Sequence, residues 1–285
     1  MTVTAPRART APAIGHVLRA SHLTPSLVRI VVGGPGLAAF VPSPHADSYV
    51  KLMFLPAGER PLQPDGRLDI DSVRAALPAD VSPRLRAYTV RAFDPVALEL
   101  TIDLVVHGDA GLAGPWAAAA TGGEEVVIQG PGGAWSPSPD VDEHLLVGDA
   151  SALPAIAVAL ERLAPEARGV AIIEVGSAAD ELPLDAPDGV RVQWVHARAG
   201  APGAALVDAT LAWRWPAGSV GVFVHGEAGA VRTLRTYLRV ERRVPRELLS
   251  ISGYWRLGVD DEGWRAGKRE WTQSIESSEQ AAGLD

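Results

Sequence analysis

The hexapeptide RAYTVR, which begins at Arg86, combines guanidinium, phenol and hydroxyl groups in one strand-forming segment. Successive side chains of a strand point to opposite faces, so Arg86, Tyr88 and Val90 share one face while Thr89 and Arg91 share the other. A phenol can lie against a planar cofactor while a guanidinium binds the cofactor's phosphates. The pattern predicts a flavin adenine dinucleotide site; its structural alternative is an ordinary strand whose two arginines are solvated.

Composition limits the classes of protein to which the chain can belong. Its 285 residues are 47% hydrophobic and 21% charged, which is typical of a globular protein with two domains. The lack of cysteine excludes structural disulfides, thiolate nucleophiles and Cys-ligated iron–sulfur clusters. The histidines show no metal-ligand spacing, so no metal site is predicted, and structural roles are favoured for them.

Charge and apolar patterning limit the partners and the location. The net charge of −8, without basic runs, argues against nucleic acid as the main partner. No apolar run reaches the roughly 20 residues that span a bilayer, and the beginning MTVTAPRART lacks the apolar stretch of a secretory signal. These features predict a cytoplasmic protein without membrane insertion.

The distribution of strand and helix patterns divides the chain. Short β-rich runs with Gly and Pro breaks, up to about residue 135, predict an antiparallel barrel or sandwich. After the linker WSPSPDVDE, strands alternate with helices, which predicts a doubly wound parallel sheet. The predicted parts are a β domain at 1–137, an α/β domain at 141–258 and a C-terminal tail with a short helix at 259–285, frayed from about residue 272.

Glycine-rich segments follow several predicted strands. HGDAGLAGPWA leads from a strand into an Ala-rich helix, and VGDASALPAI and HGEAGAVR lie where strands of the α/β domain end. Ligands of doubly wound sheets bind at the carboxyl ends of strands, where backbone amides can meet phosphates. Tight turns are the structural alternative. The nucleotide-binding candidates in the α/β domain are Gly148, Asp149, Ser151, Gly226 and Glu227.

Taken in order, these segments resemble the siderophore-interacting protein family, flavin-containing ferric-siderophore reductases related to ferredoxin reductases. The matching segments are VKL at 50–52, RAYTVR at 86–91, IDLVVHG at 102–108, GLAGPWA at 111–117, GPGGA at 130–134, VGDASALPAI at 147–156, HGE at 225–227 and GYWRLG at 253–258. Each segment is short, and the specificity of the resemblance comes from their order along the chain.

The resemblance implies a six-stranded antiparallel FAD-binding β-barrel of the ferredoxin-reductase type, followed by an α/β domain that receives NADH or NADPH. By position, Arg86 would hold a flavin phosphate, Tyr88 would lie against the isoalloxazine ring, and Thr89 would hydrogen-bond near its reactive edge. The other positions that would border FAD or match its phosphate loop are Asp103, Val105, His107, Gly108, Ala113, Trp116 and Ala117.

The mechanism implied is hydride transfer to flavin and release of single electrons to an external Fe(III) chelate, a ferric siderophore. Tyr88, Thr89 and Trp255 are the catalytic candidates. Tyr254 and Trp255 are expected to cover the flavin face until nicotinamide arrives. Glu174 is predicted to bind ribose hydroxyls and so to favour NADH. Anionic siderophores require local positive charge, for which the candidates are Lys51, Arg265, Lys268 and Arg269.

Several alternatives remain open at this point. The three basic residues at 265–269 can equally belong to a solvated turn. The chain can also be a general NAD(P)H–flavin oxidoreductase with another acceptor, or a carrier that binds a ferric chelate or a flavin without turnover. The electron donor can be NADH, NADPH or a reduced ferredoxin, and the sequence does not distinguish these donors.

Overall fold

The computed structural model describes residues 11–78, 81–109, 111–281 and 283. The segment MTVTAPRART, which was used to predict the location, lies outside the described residues. Ala110 of the glycine-rich loop lies outside them as well. The N-terminal half is one antiparallel sheet with the strand order β4-β3-β7-β1-β2-β6-β5. Its strands are β1 (Ala13–Thr24), β2 (Leu27–Gly33), β3 (Tyr49–Phe54), β4 (Arg84–Thr89), β5 (Ala92–Asp94), β6 (Glu99–Val105) and β7 (Glu125–Gly132).

The two edge strands of this sheet, β4 and β5, are joined by only Val90 and Arg91. The amide of Val90 donates to the carbonyl of Ser48 at 2.7 Å, and the amide of Arg91 donates to the carbonyl of Thr101 at 2.9 Å. One bent segment therefore connects both edges of the sheet, which closes it into a barrel. The predicted antiparallel barrel is confirmed, with seven strands rather than six because this bend divides RAYTVR.

Alternation along the strands fills the barrel. Leu100, Ile102 and Leu104 of β6 are fully buried, and Ile30 of β2 and Leu52 of β3 join them in one apolar cluster. Two short helices, α1 (Ile70–Ala76) and α2 (Ala113–Ala119), pack on this domain.

The second half is a parallel sheet with the order β10-β9-β8-β11-β12. Helix α3 packs against one face of the sheet, and α4 and α5 pack against the other. The predicted doubly wound domain is confirmed. Strand order reverses between β8 and β11, so their carboxyl ends form the switch point. The elements are β8 (Glu143–Asp149), α3 (Leu153–Glu161), β9 (Gly169–Val175), β10 (Val190–His196), α4 (Ala204–Ala212), β11 (Val220–Glu227), α5 (Ala228–Thr236) and β12 (Leu249–Trp255).

A long helix, α6 (Asp261–Ala281), follows the last strand. Its 21 residues correct the prediction of a short helix that frays from about residue 272. The second half of the helix is held by tertiary packing that local sequence does not reveal: Ile275 is buried, and Glu279 pairs with Arg235 of α5. None of the helices in the described ranges is both long and apolar enough to cross a membrane.

Polar contacts join the two domains. Ser26 donates to Asp180 through its amide at 3.1 Å and through its hydroxyl at 2.6 Å. Arg91, the second arginine of RAYTVR, forms an ion pair with Glu161 at the end of α3. Apolar residues of the barrel, among them Leu27, belong to the same buried cluster as α3. The strand ends of the α/β domain are therefore held against the barrel.

Candidate functional site

Strand register sets the faces of the RAYTVR segment. Arg86 and Tyr88 lie opposite Leu52 and Val50 of β3, and directly opposed residues of an antiparallel pair share a face. Thr89 lies opposite Tyr49 on the other face and is buried. The structure thus brings Arg86 and Tyr88 together and turns the Thr89 side chain away from them.

Arg86 already binds anionic oxygens. Its Nη1 lies 2.9 Å from Asp261 Oδ2 and 2.6 Å from Glu262 Oε1, and its Nη2 lies 3.0 Å from Glu262 Oε2. The side chain is only 13% exposed. The hydrogen bond from Arg86 lowers the pKa of Glu262, whereas burial raises the pKa of Asp261 against the effect of Arg86. This guanidinium has the donor chemistry that a diphosphate requires.

Tyr88 keeps a neutral phenol beside this arginine. Burial raises the pKa of Tyr88, and the positive charge of Arg86 only partly opposes that shift. The ring is half-buried and packs against the barrel core. An aromatic face next to a guanidinium fits a flavin ring with its diphosphate chain, so the donor set is compatible with FAD.

The remaining barrel candidates fall into three groups. The carboxylate of Asp103 pairs with Arg29, with both N–O distances at 2.7 Å, and Val105 packs at the domain interface. His107 and Gly108 are exposed. The candidates on α2 form the third group: the methyl groups of Ala113 and Ala117 lie in the barrel core, while Trp116 packs edge-on against Phe54 and is half-buried.

The α/β candidates meet at the switch point in one hydrogen-bond network. Asp149 Oδ1 accepts from the Ser151 amide at 2.9 Å and from the Ser151 hydroxyl at 2.5 Å. Its Oδ2 accepts from the Glu227 amide and from the Trp255 indole Nε1, both at 2.8 Å. Asp149 is buried, and burial raises its pKa despite these four donors. One carboxylate therefore ties together the ends of β8, β11 and β12.

Close approach explains the glycine beside Asp149. Gly226 has a φ of 141°, and a Cβ at that position would lie 2.5 Å from Asp149 Oδ2. Glu227 caps α5 by accepting from the amides of Gly229 and Ala230. Since both carboxylates serve internal contacts, a nucleotide at this switch point would meet mainly backbone groups and the Trp255 ring.

Glu174 corrects a prediction. Its two carboxylate oxygens accept from the amides of Gly203 at 2.6 Å and Leu206 at 3.1 Å, and the residue is 3% exposed. Because it satisfies the first amides of α4, it is not available for ribose hydroxyls, and the argument for NADH does not hold.

The basic candidates divide between β3 and α6. Lys51 lies on β3, opposite Ala87 of β4. Arg265 Nη1 donates to the carbonyl of Leu85 at 2.7 Å, and Arg269 is exposed. Lys268 Nζ donates to Ser252 Oγ at 3.0 Å, and burial lowers its pKa. Three of the four are therefore on one helix, close to the end of β12.

His225 is a buried residue of β11, close to Tyr254 and Lys268. Its ring stacks on Phe223 with 4.0 Å between centroids and meets Tyr254 edge-on at 4.8 Å. Nε2 lies 2.9 Å from Ser250 Oγ, whereas Nδ1 has no hydrogen-bond partner among the described residues. Burial, reinforced by the charge of Lys268, lowers the pKa of His225 to about 3.

Replacing His225 by glutamine should remove part of the protein's sensitivity to acid. The histidine pKa is 6.5 when unfolded and about 3 when folded, so the unfolded state binds the proton first as the pH falls. Stability is therefore lost below about pH 6.5, by about 2 kcal/mol at pH 5. Urea unfolding at pH 7 and pH 5 should give a drop that is smaller by about this amount in His225→Gln. Equal drops in both proteins would contradict a buried, neutral His225.

Tyr254 marks where the α/β domain meets the barrel. Burial raises its pKa, and the charges of Asp47, Asp149 and Tyr49 add to the shift, so this phenol lies close to both domains. Tyr49 is the cross-strand partner of Thr89. The strand end that carries Trp255 thus adjoins the edge of the barrel that carries RAYTVR.

In comparisons with known proteins, two different family models match the two halves of the chain. Residues 16–135 match the family model described as "Siderophore-interacting FAD-binding domain", and residues 141–258 match that described as "Siderophore-interacting protein". An uncharacterized protein of Mycobacterium tuberculosis is 46% identical over 270 residues, which are 90% of this chain and 95% of that protein.

Two of the relatives are named as reductases of ferric complexes. The ferric vibriobactin reductase ViuB of Vibrio cholerae is 30% identical over 260 residues, covering 90% of this chain and 93% of the relative. The NADPH-dependent ferric-chelate reductase of Escherichia coli is 30% identical over 246 residues, covering 84% of this chain and 91% of the relative.

Among solved structures, a siderophore utilization protein from T. fusca superimposes with a TM-score of 0.75 at 34% identity, covering 89% of this chain and 98% of that one. The chain belongs to the siderophore-interacting protein family.

Proposed function

We propose that this protein is an FAD-containing, NAD(P)H-dependent reductase of ferric siderophores that releases iron as Fe(II) in the cytoplasm. The observation that carries the proposal is the pairing of Arg86 and Tyr88 on one face of β4, at the point where the first turn of α6 contacts the barrel. The named activities of the two relatives support the same reaction. Residues 1–137 would bind FAD, residues 141–258 the nicotinamide nucleotide, and 259–285 would complete the site.

Arg86, Tyr88 and Trp116 are the side chains that would hold FAD. When bound, FAD accepts two electrons as hydride and gives them up singly to an iron complex. The guanidinium of Arg86 would bind phosphate oxygens, and the neutral phenol of Tyr88 would support the flavin ring. Thr89 and its cross-strand partner Tyr49 line the opposite face of this strand pair, next to Tyr254. His107 and Gly108, which are exposed and precede α2, would border the rest of FAD.

The network around Asp149 would support the nicotinamide nucleotide. Asp149 orients the indole of Trp255, and Gly148 and Gly226 let the strand ends approach closely. Trp255 would shield the flavin site from water until the nicotinamide takes its place, because hydride transfer requires the nicotinamide and flavin rings to be in near contact. NADPH is the donor named for the relative from Escherichia coli, and we propose NADPH or NADH as the donor here.

The basic side chains would bind the substrate. Arg265, Lys268 and Arg269 are the three basic residues of α6, and Lys51 is on the strand next to RAYTVR. An anionic ferric siderophore would be attracted to this surface although the protein as a whole is acidic.

An anaerobic stopped-flow experiment tests the proposal. The protein, reconstituted with FAD, should lose its 450-nm absorbance with NADPH or NADH and regain it faster with a ferric siderophore than with a quinone or ferredoxin. Protein that binds the siderophore but never becomes reduced would instead be a carrier. Faster reoxidation by the quinone would identify a general flavin oxidoreductase.

A further inference from the structure

The first turn of α6 binds the arginine that the proposed function gives to the FAD diphosphate. Glu262 meets both terminal nitrogens of Arg86, and Asp261 meets one of them, at distances of 2.6 to 3.0 Å. These partners are 175 and 176 residues away in sequence, so the contact is part of the tertiary fold. The Arg86 side chain is 13% exposed, whereas those of Asp261 and Glu262 are 32% and 46% exposed, so the carboxylates lie on the solvent side of the guanidinium.

Helix α6 is firmly attached on the other side, to the α/β domain. Trp264 is 3% exposed, and a Cβ at Gly253 of β12 would lie 2.9 Å from its ring. Glu279 accepts from Arg235 Nη2 at 2.8 Å, and both side chains are nearly buried. The first turn is therefore presented to the barrel by a helix whose position the α/β domain determines.

The same turn also holds the backbone of β4. Arg265 Nη1 donates to the carbonyl of Leu85 and lies 3.8 Å from Asp261 Oδ2. Arg86, Arg265 and the two carboxylates thus form one charged cluster between β4 and α6. Two negative charges lie at the guanidinium that a diphosphate, itself doubly negative, would have to use.

We propose that Asp261 and Glu262 form a latch that competes with the FAD diphosphate for Arg86, so that FAD uptake requires the first turn of α6 to release this arginine. The inference rests on the proposed function, because it takes Arg86 as a diphosphate ligand. It makes Asp261 and Glu262 positioning residues that act through Arg86. The two carboxylates and the diphosphate are all negatively charged and repel each other. Anionic FAD would therefore bind more slowly while the carboxylates hold the guanidinium.

The test measures FAD association with the full-length apoprotein by stopped-flow quenching of flavin fluorescence. The variant is Asp261→Asn/Glu262→Gln, which keeps the shape of both side chains and removes their charge. The matched control is Glu270→Gln, an exposed position on the same helix that loses one charge away from Arg86. Circular dichroism and the thermal midpoint verify that every variant is folded.

The association rate constant should rise about tenfold in the double variant and less than about twofold in Glu270→Gln. Added salt should reduce the difference between the double variant and the unsubstituted protein, because it screens the charges. Equal association rates, or weaker FAD binding by the double variant, would overturn the latch while leaving the proposed function intact. Failure of every folded protein, including the unsubstituted one, to bind FAD would overturn both.

Discussion

Replacing Arg86 by methionine should weaken FAD binding about 100-fold, the largest effect on cofactor affinity that we expect from a single substitution. The change removes charge-assisted hydrogen bonds to the diphosphate, which contribute roughly 1.5 to 3 kcal/mol each. It also removes the cation that Asp261 and Glu262 share and leaves Asp261 with only the more distant Arg265, so that the two carboxylates would oppose the phosphates more strongly. Fluorescence quenching during FAD titration of the apoprotein gives the dissociation constants directly.

Arg84→Met is the matched control for this prediction. Arg84 lies two residues earlier on β4, on the same face, but is exposed. Its loss removes the same charge without removing the group that contacts Asp261 and Glu262. Arg86→Lys should lie between, about tenfold weaker than the unsubstituted protein, because an ammonium keeps the charge but not the paired donors. If Arg86→Met bound FAD as tightly as Arg84→Met does, the diphosphate would have to bind elsewhere.

Local pattern was sufficient to predict both domains. Gly- and Pro-punctuated strands predicted the barrel, and strand–helix alternation predicted the parallel sheet, because these periodicities reflect which face is buried. Two-residue alternation likewise predicted that Arg86 and Tyr88 share a face, as the pairing of β4 with β3 shows. The strand count differed because closure of the barrel bends the RAYTVR segment at Val90, and long-range pairing determines that bend.

Long-range partners could not be predicted in this way. The acidic residues Asp261 and Glu262 are typical of a helix N-terminus, which accounts for them without any partner. Their contact with Arg86 depends on how α6 packs against β12 and reaches the barrel. Glu174 was misassigned for a similar reason: a carboxylate at a strand end can bind a ribose or cap a nearby helix, and the packing of α4 decides between them.

Asp149 and Trp255 are the clearest example of a relation that only the fold reveals. Each was a separate candidate, 106 residues apart, yet the indole donates directly to the carboxylate. The same oxygen accepts from the amide that follows Gly226. One buried carboxylate fixes the ends of three parallel strands and also holds the Trp255 ring. The position of this ring and the stability of the sheet are therefore linked.

Replacing Asp149 by asparagine should therefore lower the free energy of unfolding by about 3 kcal/mol, because an amide nitrogen would face N–H donors that now meet an oxygen. Trp255→Phe removes only the indole donor and should cost about 1 kcal/mol. Urea unfolding at pH 7 measures both. If the ring is positioned through Asp149, each folded variant should also show a raised KM for the nicotinamide donor. An Asp149→Asn protein as stable as the unsubstituted one would mean that this carboxylate does not tie the strand ends together.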